Sequence, residues 1–452
     1  MKKELYNYDI YPKVFLADST KKITVQPLGD HAAFEKGKEY TLNIYKVNQS
    51  NPNRYPERSG RSTLTAVPDE DGCLRFEAFF EGEGEHFINI HAAPEEKPIV
   101  TLSVYSLSND MAGRIPLRGD LHIHTRRSDG QEAPATVAAN YRAHGYDFFT
   151  ISDHRRFYPS LEAIEFYKDL TDFTIVPGEE IHLPLNDVHY VNFGGSYSIN
   201  ALVTPSCNEE KGGDDLKYRS IDGKAPDTMT KEEFTEMITE RAKKVPREYE
   251  SERLSYAVLE WTYEHMQANG GLGIFPHPYW LCKMMQLPED YTEFIYTNAP
   301  FDAFEVLGGE NYYAHNGFQT GLYYEMKAKG IDHPVVGSTD SHSSIEHNRN
   351  ALICSTIVFA KENTREALID AIKNKYSVAI DTISAEYRIV GDFRLMKYAS
   401  FLMENYFPLH DLACKAEGYY MNRCVAGDAN AEKILKAMKG QIPEMQKKYF
   451  EV

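Results

Sequence analysis

Two patterns of apolar and polar positions follow one another along this chain. Up to about residue 112, Lys22-Ile23-Thr24-Val25, Tyr40 to Tyr45, Leu74 to Phe80, His86 to His91 and Ile99 to Tyr105 alternate apolar or aromatic with polar side chains. Gly, Pro, Asn and Asp separate these runs. A period of two turns successive side chains to opposite faces, so each run predicts a short strand. Strands at this spacing predict a β-sandwich-like domain over 1–112.

From about Arg114 the pattern changes to strands alternating with helical stretches. Leu117 to Thr125, Tyr146 to Asp153, Phe173 to Leu183, Val188 to Phe193, Leu272 to Phe275, Phe301 to Leu307 and Val335 to Thr339 are strand-like. Leu161 to Leu170 and Gly321 to Lys329 are helical, and a helix opened by Pro134 stops at Gly145, the usual punctuation. Repeated units of this kind predict a mainly parallel α/β sheet or barrel over 113–380. A polar insertion at about 196–270 interrupts it. The insertion holds a capping box at Thr230-Lys231-Glu232-Glu233 and a second helical run from Glu248 to Gln267, and its length predicts a lid or an interaction surface. Asn363 is the expected N-cap of a helix through Lys375, and residues 381–452 predict a helical C-terminal extension.

The 452 residues carry 67 Asp and Glu against 49 Lys and Arg, a net charge of −18. So acidic a chain repels a phosphate backbone, which excludes bulk nucleic-acid binding by charge. With 42% hydrophobic residues a core is available and global disorder is excluded. No run approaches the ~20 apolar residues of a membrane helix, and the polar residues after Lys2-Lys3 are not a signal peptide. The six cysteines form no CxxC pair, so a reducing, cytoplasmic setting is expected.

Chemistry concentrates at the strand ends. In Asp120-Leu121-His122-Ile123-His124 the histidines are two apart, so a strand presents both imidazoles to one site, as a divalent metal requires. Four further segments end in ligand types: Ser152-Asp153-His154, Gly178-Glu179-Glu180-Ile181, Phe275-Pro276-His277 and Gly337-Ser338-Thr339-Asp340-Ser341-His342. Val188-His189-Tyr190 adds another histidine. In a parallel barrel the C-terminal strand ends converge on one mouth.

In this order and spacing the motifs resemble the polymerase and histidinol phosphatase (PHP) superfamily of metal-dependent phosphoesterases, over roughly residues 115 to 380. The resemblance implies a distorted (β/α)7 barrel with two or three divalent metal ions, zinc, manganese or iron, in a trinuclear site at its rim. It assigns His122, His124, Glu180 and Asp340 to a first metal. A second would share Glu180 and add His189 and His277, and a third would take Asp129, His154 and His342. The family's Gly-x-Glu spacing selects Glu180 over Glu179. His182 competes with His189 for the second metal, Asp120 could orient a ligand imidazole, and His315 could touch substrate.

Clustered cations serve phosphoesterases and some amidohydrolases alike. Two Arg pairs beside the ligands favour phosphate: Arg126-Arg127 and Arg155-Arg156 form a potential cationic pocket for bidentate recognition. Lys283 and Arg349 are weaker contributors. Arg127, Arg155 and His342 are the expected catalytic groups. The expected activity is hydrolysis of a small phosphomonoester or nucleotide-like phosphodiester through a metal-bridging hydroxide, with a small phosphorylated substrate as the partner. The alternatives are a metal-dependent amide or ester hydrolase acting on a carbohydrate or peptide, and a non-catalytic binding protein with a metal-filled barrel.

Overall fold

The structure is a computed structural model and describes residues 2–48, 60–94, 96–205, 219–282, 284–308, 313–345, 354–382 and 388–452. It divides into two compact units: Met1–Ile115 with Phe393–Ala413 and Gly440–Val452, and Pro116–Asp392 with Cys414–Lys439. The C-terminal residues, expected as a separate helical extension, are thus shared between the units. Among the described residues no helix is long and apolar enough to cross a membrane.

The first unit is built from two sheets whose alternation was legible in the chain. In Leu74–Phe80 every second residue is buried, which leaves Arg75 and Glu77 outside and sends Leu74, Phe76 and Phe80 inward. This strand pairs with Ser19–Pro27, which pairs with Tyr8–Tyr11. The six-stranded sheet is formed by Phe450–Glu451, Val14–Leu16, Val100–Leu107, Gly84–His91, Tyr40–Lys46 and Arg61–Ala66, in that order. Phe15, Ile23, Val25, Leu42, Ile88 and Val104 belong to the buried core of this unit, each contributing ~1.5–3 kcal/mol through burial. The strand Phe450–Glu451 runs parallel to Val14 and Phe15, an ending that the helical pattern upstream does not foretell.

In the second unit, beside two short two-stranded pairs, two mixed sheets carry most of the described strands. One follows the order Thr174–Val176, Phe148–Thr150, Ile115–Asp120, Cys354–Ala360, Ser377–Asp381, Arg388–Gly391; the other Gly178–Ile181, Tyr190–Phe193, Leu272–Phe275, Ala303–Leu307, Val335–Gly337. The run Phe173 to Leu183, expected as one strand, is split at Pro177, and its halves join different sheets. Proline has no N–H for a ladder, and a Cβ on Gly178 would lie 2.3 Å from Thr150 Oγ1, so only glycine fits the crossing. Antiparallel pairs join Gly178–Ile181, Tyr190–Phe193 and Leu272–Phe275, which departs from the mainly parallel expectation. The reason for the first pair is its connection: the short link 182–189 carries no crossover helix, and parallel neighbours need a dozen or so residues.

Isolated bridges Ile123 to Ser341 and His154 to Glu180 tie the ends of these strands together, where the candidate ligands lie. Behind them, Ile123, Val137, Tyr141, Phe149 and Ile151 pack into one core and Ile181, Tyr190, Phe275, Phe304 and Val306 into another. The insertion carries helices Lys231–Ala242 and Glu250–Ala268. Thr230 caps the first in a complete capping box with Glu233. The helix after Asn363 is capped by Thr364 instead, one residue later than expected, because the Thr364 side chain accepts from the Ala367 N–H. Asn363 donates its side-chain amide to the Asp147 carbonyl.

Candidate metal centre

Glu180 sits at the middle of the strand ends. Its Oε2 lies 3.5 Å from His122 Nε2, 3.5 Å from His124 Nε2, 2.5 Å from His154 Nδ1 and 3.4 Å from His182 Nε2. Its Oε1 lies 2.8 Å from His189 Nδ1 and 3.8 Å from His277 Nε2. Asp340 closes the cluster, with Oδ1 at 3.3 Å from His122 Nε2 and 2.9 Å from His124 Nε2, and Oδ2 at 3.7 Å from His277 Nε2. At the rim Asp129 is 3.4 Å from both His154 and His342. Every ligand expected from the sequence is therefore in one place.

Alternation decides which of two adjacent glutamates faces the cluster. Glu179 points to the other side of its strand, where its carboxylate accepts from Asn192 Nδ2, Ser198 Oγ, Ile199 N and Asn200 Nδ2. Elsewhere the backbone is bent to deliver ligands. His277, Asp340 and Arg155 have φ of 25°, 49° and 63°, left-handed conformations that non-glycine residues rarely adopt and that cluster at functional sites. Asp153 shapes the loop that carries Asp129: it accepts from Thr125 N, Thr125 Oγ1 and Ser128 Oγ. A Cβ on Gly130 would come within 2.6 Å of the His124 carbonyl oxygen, so this turn closes only on glycine.

The expected partition into three sites is redrawn in detail. His122, His124 and Asp340 form one group of mutually close ligand atoms, and His122, Glu180 and His277 a second. His124 also joins Asp129, His154 and His342, and His154 joins Glu180 and His182. His182, ranked behind His189 on its sequence position, thus stands beside Glu180 together with it, because both flank the same hairpin.

The electrostatics are those of an anionic centre compensated by imidazoles. Burial pushes the Glu180 carboxyl up, but His189, His154, His122 and His182 hold it well below the usual carboxylate range. Asp340 is lowered likewise, against its burial, by His122, His124 and His277. Burial presses His154 down, yet Glu180 and Asp129 lift it to about 10. His122 is raised well above 6.5 by Asp340, Glu180 and Glu305, again against burial. His124 and His189 go the other way: burial, which dominates in both, leaves them at about 3 and about 4. Buried atoms without a hydrogen-bond partner among the described residues include His122 Nε2, His277 Nε2 and both Glu180 oxygens. Unpaired buried polar atoms of this kind are costly, and imidazole nitrogens mixed with carboxylate oxygens fit zinc, manganese or iron.

One supporting residue escaped the sequence reading. Glu305 is fully buried in the apolar strand Ala303–Leu307, and its Oε2 lies 3.1 Å from His122 Nδ1. A proton on Nδ1 donated to this carboxylate leaves the Nε2 lone pair facing Glu180 and Asp340, the arrangement that fixes a metal-binding tautomer. The chain makes room for it, since a Cβ on Gly308 would lie 2.0 Å from Glu305 Oε1. The available signal was a lone acid inside Phe304-Glu305-Val306. Glu305→Ala is expected to weaken metal binding by ~10–100-fold, read by titration with a chelating indicator; unchanged affinity would remove this role. Asp120 does not orient an imidazole; its Oδ1 accepts from the His122 and Thr339 N–H groups.

The arginines separate. Arg127 is held by Glu162 in a two-point ion pair, Nε and Nη2 each at 2.8 Å, and does not line the cavity over the cluster. Arg126 is exposed and does not line the site. Arg155 and Arg156 do: with Ser128, Asp129, His154, His182, His189 and Trp280 they line a cavity of about 380 Å3 over the cluster. His315, expected near substrate, is fully buried, with Nε2 at 2.6 Å from the Gly308 carbonyl oxygen. Lys283 and Arg349 lie outside the described residues.

No family model matches the chain, and no curated protein matches it. Among solved structures it is similar to a two-domain protein from Bacteroides vulgatus containing a predicted PHP-like metal-dependent phosphoesterase. That pair shares 15% identity over 62% of this chain and 77% of the other, with a TM-score of 0.38. A putative metal-dependent phosphoesterase from Bifidobacterium adolescentis is 19% identical over 50% of this chain and 87% of its own, with a TM-score of 0.31. An amidohydrolase from Chromobacterium violaceum with bound sulfate and no metal is 14% identical over 50% and 88%, also with a TM-score of 0.31. The proteins that this chain is similar to thus include two described as metal-dependent phosphoesterases, one of them PHP-like, and one described as an amidohydrolase.

Proposed function

We propose that this chain is a metal-dependent hydrolase of phosphoric esters, with a PHP-type barrel as its catalytic unit. The observation that carries the proposal is Glu180, a buried carboxylate whose two oxygens have six imidazoles within 3.8 Å. His122, His124, Asp340, His277, His189, His182, His154, Asp129 and His342 would hold two or three divalent cations around it. When bound, such cations supply a water that is acidic near neutral pH and a positive field for developing negative charge.

The protein's own groups then divide the work. Glu305 and the Asp340 carbonyl, which faces His342 Nδ1 at 2.9 Å, fix imidazole tautomers. Arg155 and Arg156 receive the phosphoryl oxygens, since a guanidinium matches them in charge and in fork geometry. Ser128 lines the same cavity with its hydroxyl proton held by Asp153. His342 stands at the rim beside Asp129, where the two would hold the outermost cation, and solvent at the open rim can protonate the departing oxygen. A carbon-centred ester or amide needs no such pair of guanidiniums, which is why phosphate is the better reading.

Zinc- or manganese-loaded protein should release phosphate from p-nitrophenyl phosphate or a nucleoside monophosphate, and His124→Ala should abolish this. Arg155→Glu with Arg156→Glu is expected to lower kcat/KM by at least ~100-fold, since each guanidinium lost removes a charge-assisted hydrogen bond worth ~10–100-fold and each carboxylate added repels the substrate. A folded, metal-loaded protein inert on a broad phosphoester panel but active on amides or carboxylic esters would overturn the phosphate assignment and keep the metal one.

A further inference from the structure

The cavity over the cluster has an aromatic wall, Trp280, that neither metal nor phosphate chemistry requires. We infer that Trp280 is a specificity-determining residue and that the organic part of the substrate is a planar unsaturated ring that packs against it; this rests on the phosphoester reading of the same site.

Trp280 follows His277 in a tight turn, its N–H donating to the His277 carbonyl at 3.0 Å. The indole lies 6.1 Å from the rings of both His189 and His277, at 41° and 66°. It is partly exposed and lines the same cavity as Arg155 and Arg156. A phosphate bound by the guanidiniums over the histidines would therefore carry its ester group into a space bounded by an indole.

The chemistry of the lining selects the kind of group. Indole faces and guanidinium planes both gain from stacking on a flat ring. A polyol needs side-chain acceptors for its hydroxyls. Apart from the histidines, the lining offers one hydroxyl, Ser128, and one carboxylate, Asp129, which His154 and His342 already engage. A hairpin pairs Leu281–Cys282 with Met284–Met285 and is closed by the Gln286 N–H on the Trp280 carbonyl at 2.9 Å.

The test compares phenylphosphonate with methylphosphonate, which share the anionic head and differ only in the ring. Calorimetry on the zinc-loaded protein should find phenylphosphonate bound about tenfold more tightly, the scale of one stacking contact. In Trp280→Ala with unchanged zinc content the two affinities should become equal; in Trp280→Phe most of the difference should persist. Fluorescence offers a second reading, because the chain has two tryptophans and the other, Trp261, is buried at 3% exposure in the core. Phenylphosphonate should quench emission in Trp261→Phe and leave Trp280→Phe unquenched. Equal affinities in the unmodified protein, or a preference that survives Trp280→Ala, would overturn the inference while leaving the phosphoester reading in place. Failure of both phosphonates to bind would overturn the phosphoester reading and this inference together.

Discussion

Glu180→Gln is expected to empty the metal centre and abolish hydrolysis, whereas Glu179→Gln, one residue away, should leave metal uptake intact and lower stability. The two side chains have the same chemistry and the same complete burial; their surroundings differ. Both Glu180 oxygens face imidazoles and make no hydrogen bond among the described residues. Glutamine there keeps the volume, removes the charge that collects cations and turns an N–H2 toward ligand nitrogens. The loss should exceed the ~10–100-fold that follows removal of an outer-sphere partner.

Glu179 instead accepts four hydrogen bonds from Asn192, Ser198, Ile199 and Asn200. An amide can satisfy only part of that set and sets its own donors against theirs, at a cost of ~1–3 kcal/mol for each buried group left unpaired. Elemental analysis and the unfolding midpoint separate the cases. Full metal stoichiometry in Glu180→Gln, or a metal-poor Glu179→Gln, would show that the strand face has been assigned the wrong way round.

The same pair shows how far the sequence reaches. Alternation in Asp120 to His124 and in Gly178 to Ile181 predicts which side chains share a face, and Glu180, His122 and His124 meet as that rule requires. Alternation also gave the first unit, where Leu74–Phe80 buries every second residue. What a one-dimensional pattern does not carry is who else competes for a side chain. Arg127 has the right neighbours in sequence, yet Glu162 on the helix Tyr158–Tyr167 offers it both oxygens at 2.8 Å.

Glu305 was missed for the opposite reason, since its partner His122 is 183 residues away and no local motif marks it. Strand direction was misjudged where a connection carried no helix, as between Ile181 and Tyr190. His315 failed because a histidine in a loop-like context turned out to be a helix residue bonded to a buried carbonyl. Local periodicity is written in the chain, then, while long-range partners are set by packing.

Metal uptake should release protons and strengthen steeply with pH. In the metal-free protein His154 sits at about 10, where Glu180 and Asp129 hold its proton against burial. His122 is raised well above 6.5 by Asp340, Glu180 and Glu305, also against burial. Both shifts favour the histidinium form, whose proton must leave before the ring can offer a lone pair to a cation. His124 and His189, at about 3 and about 4, are already neutral and contribute no proton.

His277 and His342 are also raised by neighbouring carboxylates against burial, so with at least one proton displaced per cation bound the apparent affinity for each should rise ~10-fold per pH unit between pH 6 and 8. Stability of the metal-free fold shifts with pH in the same sense. A raised histidine stabilises the metal-free fold fully below its unfolded value of ~6.5 and loses this as pH climbs through the folded value, which for His154 is about 10. Cations take over that neutralisation, so the drop in unfolding midpoint caused by a chelator should be smallest near pH 6 and widen toward pH 8. Calorimetric titration with zinc in two buffers of different ionisation enthalpy counts the protons. An affinity flat across that range, with no proton release, would mean that imidazolium is not what stands in for the metal, and the charge assignment of the whole cluster would fall with it.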